Sequence, residues 1–528
     1  MGITLKRLTA RLAFLTLAAL CAAALTRPCV AAHAQTLKTS NAGKAGTSAA
    51  SAAEAVPGRP VELVNAAADV YYVPPEFAAD ALLRIAQSGR VTDRRWRREL
   101  LEEAFRFAAD AQQPVRRADA VIPPFSVDTP AGYASYAYDN RLDALSLRTR
   151  VIAAMLKLDA RRARELSKEA QAKLSLPPLN CADYLVYDVS DFYETVAEVA
   201  RGAAFTAEEV KQGERLRFVQ AFVEGVNSHA QVAPVVRLIL SLDLPPEELS
   251  FLGGRLLIAL GNVSGDDRSF SYSMNRGEAA KELINLVSAY RKHELPTQEV
   301  LAAVRAYVAD NVKGARCSDN LFKGERLLPY YVAGLNHSLF QTDPLTFDET
   351  KPREVLGTAD LHEYWQTPGA RQLLQAIREL RFGLAPAAKD DDDEAVPAEL
   401  TAEQRQTEQW LDKLRTFLKD LEQWDRGAER SEADYFHQRQ SLYHGLLELA
   451  PNGWARDMVL REWEESLAEE PPRGLSRPEW FLWAGNLLKA ARASEPKSRS
   501  TILEAMTNSK NPTLALYAKL ERLKLLAP

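Results

Sequence analysis

The chain has 528 residues, 46% of them hydrophobic and 26% charged, and a formal net charge of −5. That length points to two or three cores. The acidic balance argues against nucleic acid or anionic lipid as a partner, since binding phosphates takes a surplus of cations on one face.

The first 34 residues have the form of a secretory signal peptide. Lys6, Arg7 and Arg11 precede the apolar run LAFLTLAALCAAALT, and Ala32-His33-Ala34 is a small-x-small cleavage pattern. The run is shorter than the roughly 20 residues of a bilayer span. Leu20 before Cys21 and Pro28 before Cys29 do not make a lipoprotein signal. Cleavage after Ala34 and a periplasmic or secreted destination are expected, with no membrane span afterwards. The leader carries four of the 66 basic residues and none of the 71 acidic ones, so the mature chain would carry −9. Cys181 and Cys317 remain. An oxidising compartment permits one disulfide between them. It would close a loop of roughly 136 residues, worth about 4–5 kcal/mol in the chain-entropy view; two buried thiols are the alternative.

Residues 35–60 are rich in Ala, Ser, Gly and Thr and read as a disordered tether. From Val61 the pattern is helical, with apolar residues recurring at three and four and no alternating β-branched runs, so a substantial sheet is not expected. Pro74-Pro75-Glu76 opens a helix, with Gly89 as a left-handed C-terminal residue and Asp93 as N-cap of the next. After Pro114 a connector follows, PPFSVDTPAGYASYAYDN, holding Tyr133, Tyr136 and Tyr138. Leu142 to Ala172 reads as two helices parting near Leu158-Asp159. A helix follows Asp188, Thr206 and Glu209 form a capping box, and Pro245-Pro246 starts another helix. The stretch from Gly261 to Gly277, with Asp266, Asp267 and Arg268, reads as a polar loop long enough to be functional. A helix near Glu278 to Arg291 comes next. Residues 61–384 form the expected N-terminal helical domain. An acidic linker over 385–400 includes Asp390 to Asp393, too consecutive to encircle calcium. Residues 401–528 form a C-terminal helical domain, reopened by Thr401 and Gln404.

LLRIAQSGRVTDRRWR at Leu82–Arg97 aligns without a gap against LLELAPNGWARDMVLR at Leu446–Arg461, with Leu82/Leu446, Leu83/Leu447, Ala86/Ala450, Gly89/Gly453, Asp93/Asp457 and Arg97/Arg461 identical. A helix, a Gly turn and an Asp-capped helix are the shared rule. The form echoes in LINLVSAYRKHELPTQEVLAAVRAYV and STILEAMTNSKNPTLALYAKLERL. This construction resembles helical-repeat proteins of the TPR and HEAT classes, although the period varies and no TPR signature column lines up. The resemblance implies an all-α, irregular α-solenoid of stacked helical hairpins. A compact helical bundle or an (α/α) toroid is the alternative.

Motifs for zinc proteases, nucleophile elbows, phosphate loops and dinucleotide folds are absent from the sequence, so no cofactor is expected. His437 and His444 share a helix face but lie roughly 10 Å apart by helix rise, too far for one metal. Tyr330, Tyr331, Asn336 and His337 gather before a Pro-bearing loop. These are residue types that helical-toroid polysaccharide lyases use, so Tyr331, Asn336 and His337 are the catalytic candidates of an enzyme reading. Trp480 and Trp483 are further aromatic candidates. The leading expectation is an exported, non-catalytic helical protein that binds a protein, peptide or envelope component. A secreted polysaccharide enzyme and a structural envelope protein are the alternatives.

Overall fold

The computed structural model describes residues 57–111, 115, 117–119, 129–179, 183, 185–263, 265, 267–312, 327–346, 367–383, 399–424, 431–469 and 471–526. The leader, most of the tether, Cys181, Cys317 and residues 384–398 of the acidic linker lie outside them. All of the described residues fall within one compact unit.

The fold is all-α. Helices α1 (Val61–Asp69), α2 (Pro75–Gln87), α3 (Arg94–Ala109), α4 (Pro130–Asp139), α5 (Ala144–Leu156), α6 (Ala160–Ala172) and α7 (Ser190–Arg201) come first. Then follow α8 (Ala207–Lys211), α9 (Glu214–Glu224), α10 (Val232–Leu240), α11 (Pro246–Asn262), α12 (Asp267–Asn275), α13 (Glu278–Lys292), α14 (Gln298–Val312) and α15 (Leu327–Ser338). The rest are α16 (Pro368–Phe382), α17 (Glu408–Gln423), α18 (Glu432–Leu449), α19 (Trp454–Ala468), α20 (Arg477–Arg492), α21 (Pro496–Thr507) and α22 (Pro512–Arg522). Among the described residues the only sheet is a ribbon of β1 (Arg117–Asp119) antiparallel to β2 (Leu185–Tyr187), with Ala118 opposite Val186.

Local chemistry explains the boundaries. Asp93 accepts the amides of Arg95 and Trp96, and Asp159 accepts that of Arg162. Thr206 and Glu209 close their capping box. Thr401 and Gln404 exchange the same pair of bonds, but only a short 3-10 turn follows; α17 waits for Thr407, whose hydroxyl accepts the amide of Trp410. The arginine-rich face of α3 is salt-paired, Arg95 to Glu99 at 2.9 Å and Arg98 to Asp159 at 2.8 Å.

The internal alignment holds for packing and fails at the turn. Leu82, Leu83, Ala86 and their counterparts Leu446, Leu447 and Ala450 are all buried. Gly89, however, is not left-handed, whereas Gly453 has φ +97° and caps α19. Helix α19 therefore starts four residues ahead of the aligned start of α3. Asp457 consequently falls inside its first turn, where it accepts the hydroxyl of Ser498 at 2.9 Å.

Helices adjacent in sequence pack together along much of the chain, and the last ones return to the first. Helix α22 lies on α1 and α2, and α20 on α4. The junction is centred on Asp80 of α2, which is fully buried. Its carboxylate accepts Arg84 Nε at 2.6 Å, Arg150 Nη2 at 2.7 Å and the Tyr517 hydroxyl at 2.7 Å. Phe77, one turn before it, packs against Trp480, Phe481 and Tyr517 with ring centroids 5.1–6.1 Å away. Arg477 reaches Glu76 at 3.3 Å and Lys519 reaches Asp69 at 2.7 Å. Segments on both sides of the acidic linker thus belong to one core.

Burial alone raises the Asp80 pKa, but the charges of Arg150 and Arg84 and the bonds from Arg84 and Tyr517 outweigh it and hold the carboxyl at about 2. A pKa depressed on folding contributes stability that is complete above the unfolded value near 3.8 and is lost as pH falls toward 2. Asp80→Ala is expected to cost about 3–5 kcal/mol, because it leaves partly buried guanidinium groups unpaired. Urea unfolding at pH 7 and at pH 2.5 checks both points. The loss should be large at pH 7 and smaller at pH 2.5.

Two adjacent glycines of α11 make a second test. A Cβ on Gly253 would lie 2.0 Å from the Tyr290 hydroxyl, whereas one on Gly254 meets nothing within 4 Å. Gly254→Ala should raise stability by about 0.5–1 kcal/mol through helix propensity. Gly253→Ala should lower it by about 1–3 kcal/mol through overpacking. Thermal unfolding of the two variants should give shifts of opposite sign.

Candidate functional site

The sequence-selected residues of α15 go to separate surroundings. Asn336 is a clamp: its Nδ2 donates to the Leu345 carbonyl at 3.0 Å and its Oδ1 accepts the Leu345 amide at 2.7 Å. His337, the next residue and so about 100° round the helix, is exposed. Tyr331 packs its ring on Gly277, where any Cβ would come within 2.3 Å of it. The three side chains are not brought to one point. The side chain of Tyr330, like Cys181 and Cys317, lies outside what is described.

His437 is 1% exposed and His444 is exposed, so they do not form a pair. Trp483 Nε1 donates to His437 Nδ1 at 2.9 Å, which puts the proton of the neutral ring on Nε2, 3.6 Å from Glu479 Oε1. The Tyr133 ring stacks on the imidazole at 4.6 Å with 2° between planes. Trp480 and Trp483 are both buried, so these aromatics serve the core.

Tyr133, Tyr136 and Tyr138 do not sit in a connector. They lie on α4, which Thr129 caps and Pro130 opens. Tyr133 and Tyr138 are buried and Tyr136 is exposed. The Thr-Pro pair was the available signal, because proline suits the first helical position.

The expected polar loop 261–277 is likewise largely helix α12, bounded by Gly265 and Gly277 at φ +76° and +72°. Most of its described side chains turn inward. Arg268, Ser269, Phe270, Ser271 and Met274 are all buried. The Phe270 to Met274 spacing of one turn carries the helix, and intervening serines obscure that period. Asp266 lies outside the described residues.

This inward-facing helix forms one wall of the best-defined cavity among the described residues. The cavity, of about 220 Å³, lies where β2 and the start of α7 meet α10, α12 and the start of α13. Val186, Tyr187, Ala233, Pro234 and Ser269 make its buried lining; Asp188, Ser190, Tyr272, Arg276 and Glu278 are its more exposed members. A second cavity of about 310 Å³ shares Ser190 and Pro234 with it and continues along α7 and α10. Arg237 lines the second cavity. It donates to the Ser190 hydroxyl at 3.2 Å and faces Glu282 at 3.8 Å and Glu278 at 4.0 Å.

Beneath the cleft is a layer of buried polar groups. His229 Nδ1 is 2.8 Å from the Tyr307 hydroxyl, and its ring meets Phe270 edge-on at 5.3 Å. Gln231 donates to the Tyr193 hydroxyl at 2.8 Å and accepts the amides of Asn227 and Ser228. Arg268 Nε donates to the Asp183 carbonyl at 3.1 Å. Burial pushes the Tyr193 phenol well above its ordinary range, so it remains neutral. Arg268 and Phe270 tie α12 to this layer. Among the described residues no group of three His, Cys, Asp or Glu side chains could hold a metal ion, and no helix is long and apolar enough to cross a membrane. No protein family, curated protein or solved structure matches the chain.

If Asn336 serves only to clamp the loop, Asn336→Ala should cost about 1–3 kcal/mol from two lost backbone bonds. It should also speed hydrogen exchange at the Leu345 amide and leave ligand binding in the cleft unchanged.

Proposed function

We propose that the chain is an exported, non-catalytic helical protein that binds a peptide or protein partner, and that the cleft beside β2 and α12 is where it does so. The observation that carries this reading is the make-up of the cleft: an apolar and hydroxyl-bearing lining joined to exposed members of both charge signs. That combination suits a polypeptide, which brings apolar side chains and backbone dipoles together. The Sec-type leader supports the periplasmic or secreted placement. The clamp role of Asn336 gives the polysaccharide-enzyme alternative no added support.

Purified mature protein should be screened by thermal shift against short peptides and acidic oligosaccharides. A peptide at a hundred times its Kd should add about 2.7 kcal/mol to stability. Stabilisation by acidic oligosaccharides alone, with release of an unsaturated product absorbing in the ultraviolet, would overturn the proposal in favour of a lyase. N-terminal sequencing of the exported protein should begin at Gln35.

A further inference from the structure

We infer that the cleft recognises the free carboxylate at a peptide C-terminus, with Arg276 as the group that meets it; this rests on the peptide-binding reading above. The two carboxylates of the cleft already have work. Asp188 Oδ1 accepts the Ser190 amide at 3.1 Å, and Glu278 faces Arg237 at 4.0 Å. Arg276 differs from Arg237. It is exposed, and no carboxylate of the described residues lies within ion-pair distance of it. Its guanidinium carbon sits 5.5 Å from the centre of the Tyr272 ring. Both residues line the cavity.

A guanidinium laid on an aromatic ring keeps its edge open and has fewer orientations to lose on binding. That favours a planar, bidentate acceptor, which is a carboxylate. The backbone beneath is held as well. The Arg276 amide donates to the Tyr272 carbonyl at 3.1 Å, and Gly277 follows in the left-handed region with Tyr331 packed on it.

Size narrows the ligand. Pockets for drug-sized molecules run from about 300 to 1,000 Å³. A cavity of about 220 Å³ holds a fragment, such as one terminal residue. Val186, Ala233 and Pro234 offer apolar wall and Ser269 and Ser273 offer hydroxyls, which suits a small or medium aliphatic side chain. With that side chain inside, the terminal carboxylate meets Arg276 and the preceding residues leave along the groove past Ser190 and Pro234.

Calorimetric titration of the full mature chain tests this with acetyl-tetrapeptides ending in Ala, Val or Leu, each as free acid and as C-terminal amide. A fourth probe is an amidated peptide with an internal Glu. The free acid should bind at least tenfold more tightly than the amide, and rising salt should narrow the gap. Arg276→Ala should bring the acid down to the affinity of the amide while leaving the melting temperature unchanged, and Arg276→Lys should restore the preference in part. Equal binding of acid and amide overturns this inference and leaves the peptide reading standing. An internal Glu that binds as tightly as a free terminus overturns the terminal assignment. Retention of the acid preference in Arg276→Ala overturns the role of Arg276. No heat with any probe overturns the peptide reading together with this inference.

Discussion

A carboxylate removed from water is costly unless its lone pairs and its charge are both answered. Asp80 is answered by Arg84, one turn on in its own helix, and by groups from two distant parts of the chain, Arg150 on α5 and Tyr517 on α22. Each bond alone would be modest. Together they make the position of α22 a condition for burying α2 at all. Phe77 and its three aromatic neighbours then add apolar contact at the same seam. The C-terminal helices are therefore structural partners of the N-terminal hairpin across more than four hundred residues of sequence.

The cleft lies elsewhere in the same core and obeys a related constraint. Helix α12 has few apolar residues, yet it buries an arginine and two serines. It can do so because it faces a polar layer, with Asp183 accepting from Arg268 and the His229–Tyr307 pair beside Phe270. A wall of this kind keeps hydroxyl groups at the cavity surface where leucines would fill it. The cavity is thus a consequence of polar packing at the joint of β2, α7, α10 and α12.

Much of the helical order was legible in the chain because capping is local. Asp93, Asp159 and the Thr206–Glu209 box each act within three residues, so their chemistry can be read without knowing the fold. Helices α4 and α12 were obscured because their buried faces contain tyrosines, serines and an arginine. Periodicity of apolar residues cannot see a buried face made of polar groups. The Gly89/Gly453 and Asp93/Asp457 matches show a different limit. Identical residues in aligned positions took unlike backbone roles once the turn at Gly453 started its helix early. The selected Tyr331, Asn336 and His337 shared a short stretch of sequence, and helical geometry turned them apart. Nothing local could have paired Asp80 with Tyr517.

The contrast between Arg237 and Arg276 is the sharpest distinction within the cleft. Both are arginines of one small region, and both sit near Glu278 in sequence or space. Arg237 is held between Ser190 and two glutamates, so its charge is spent inside the protein and its effect is to fix the start of α7 against α13. Arg276 leans on a ring, which orients a guanidinium without neutralising it. A cation that is positioned but left uncompensated does little for folding, since exposed charges contribute little there. On the proposed reading, its value lies in meeting an anion that arrives from outside. The small apolar cavity beside it then decides what that anion is attached to.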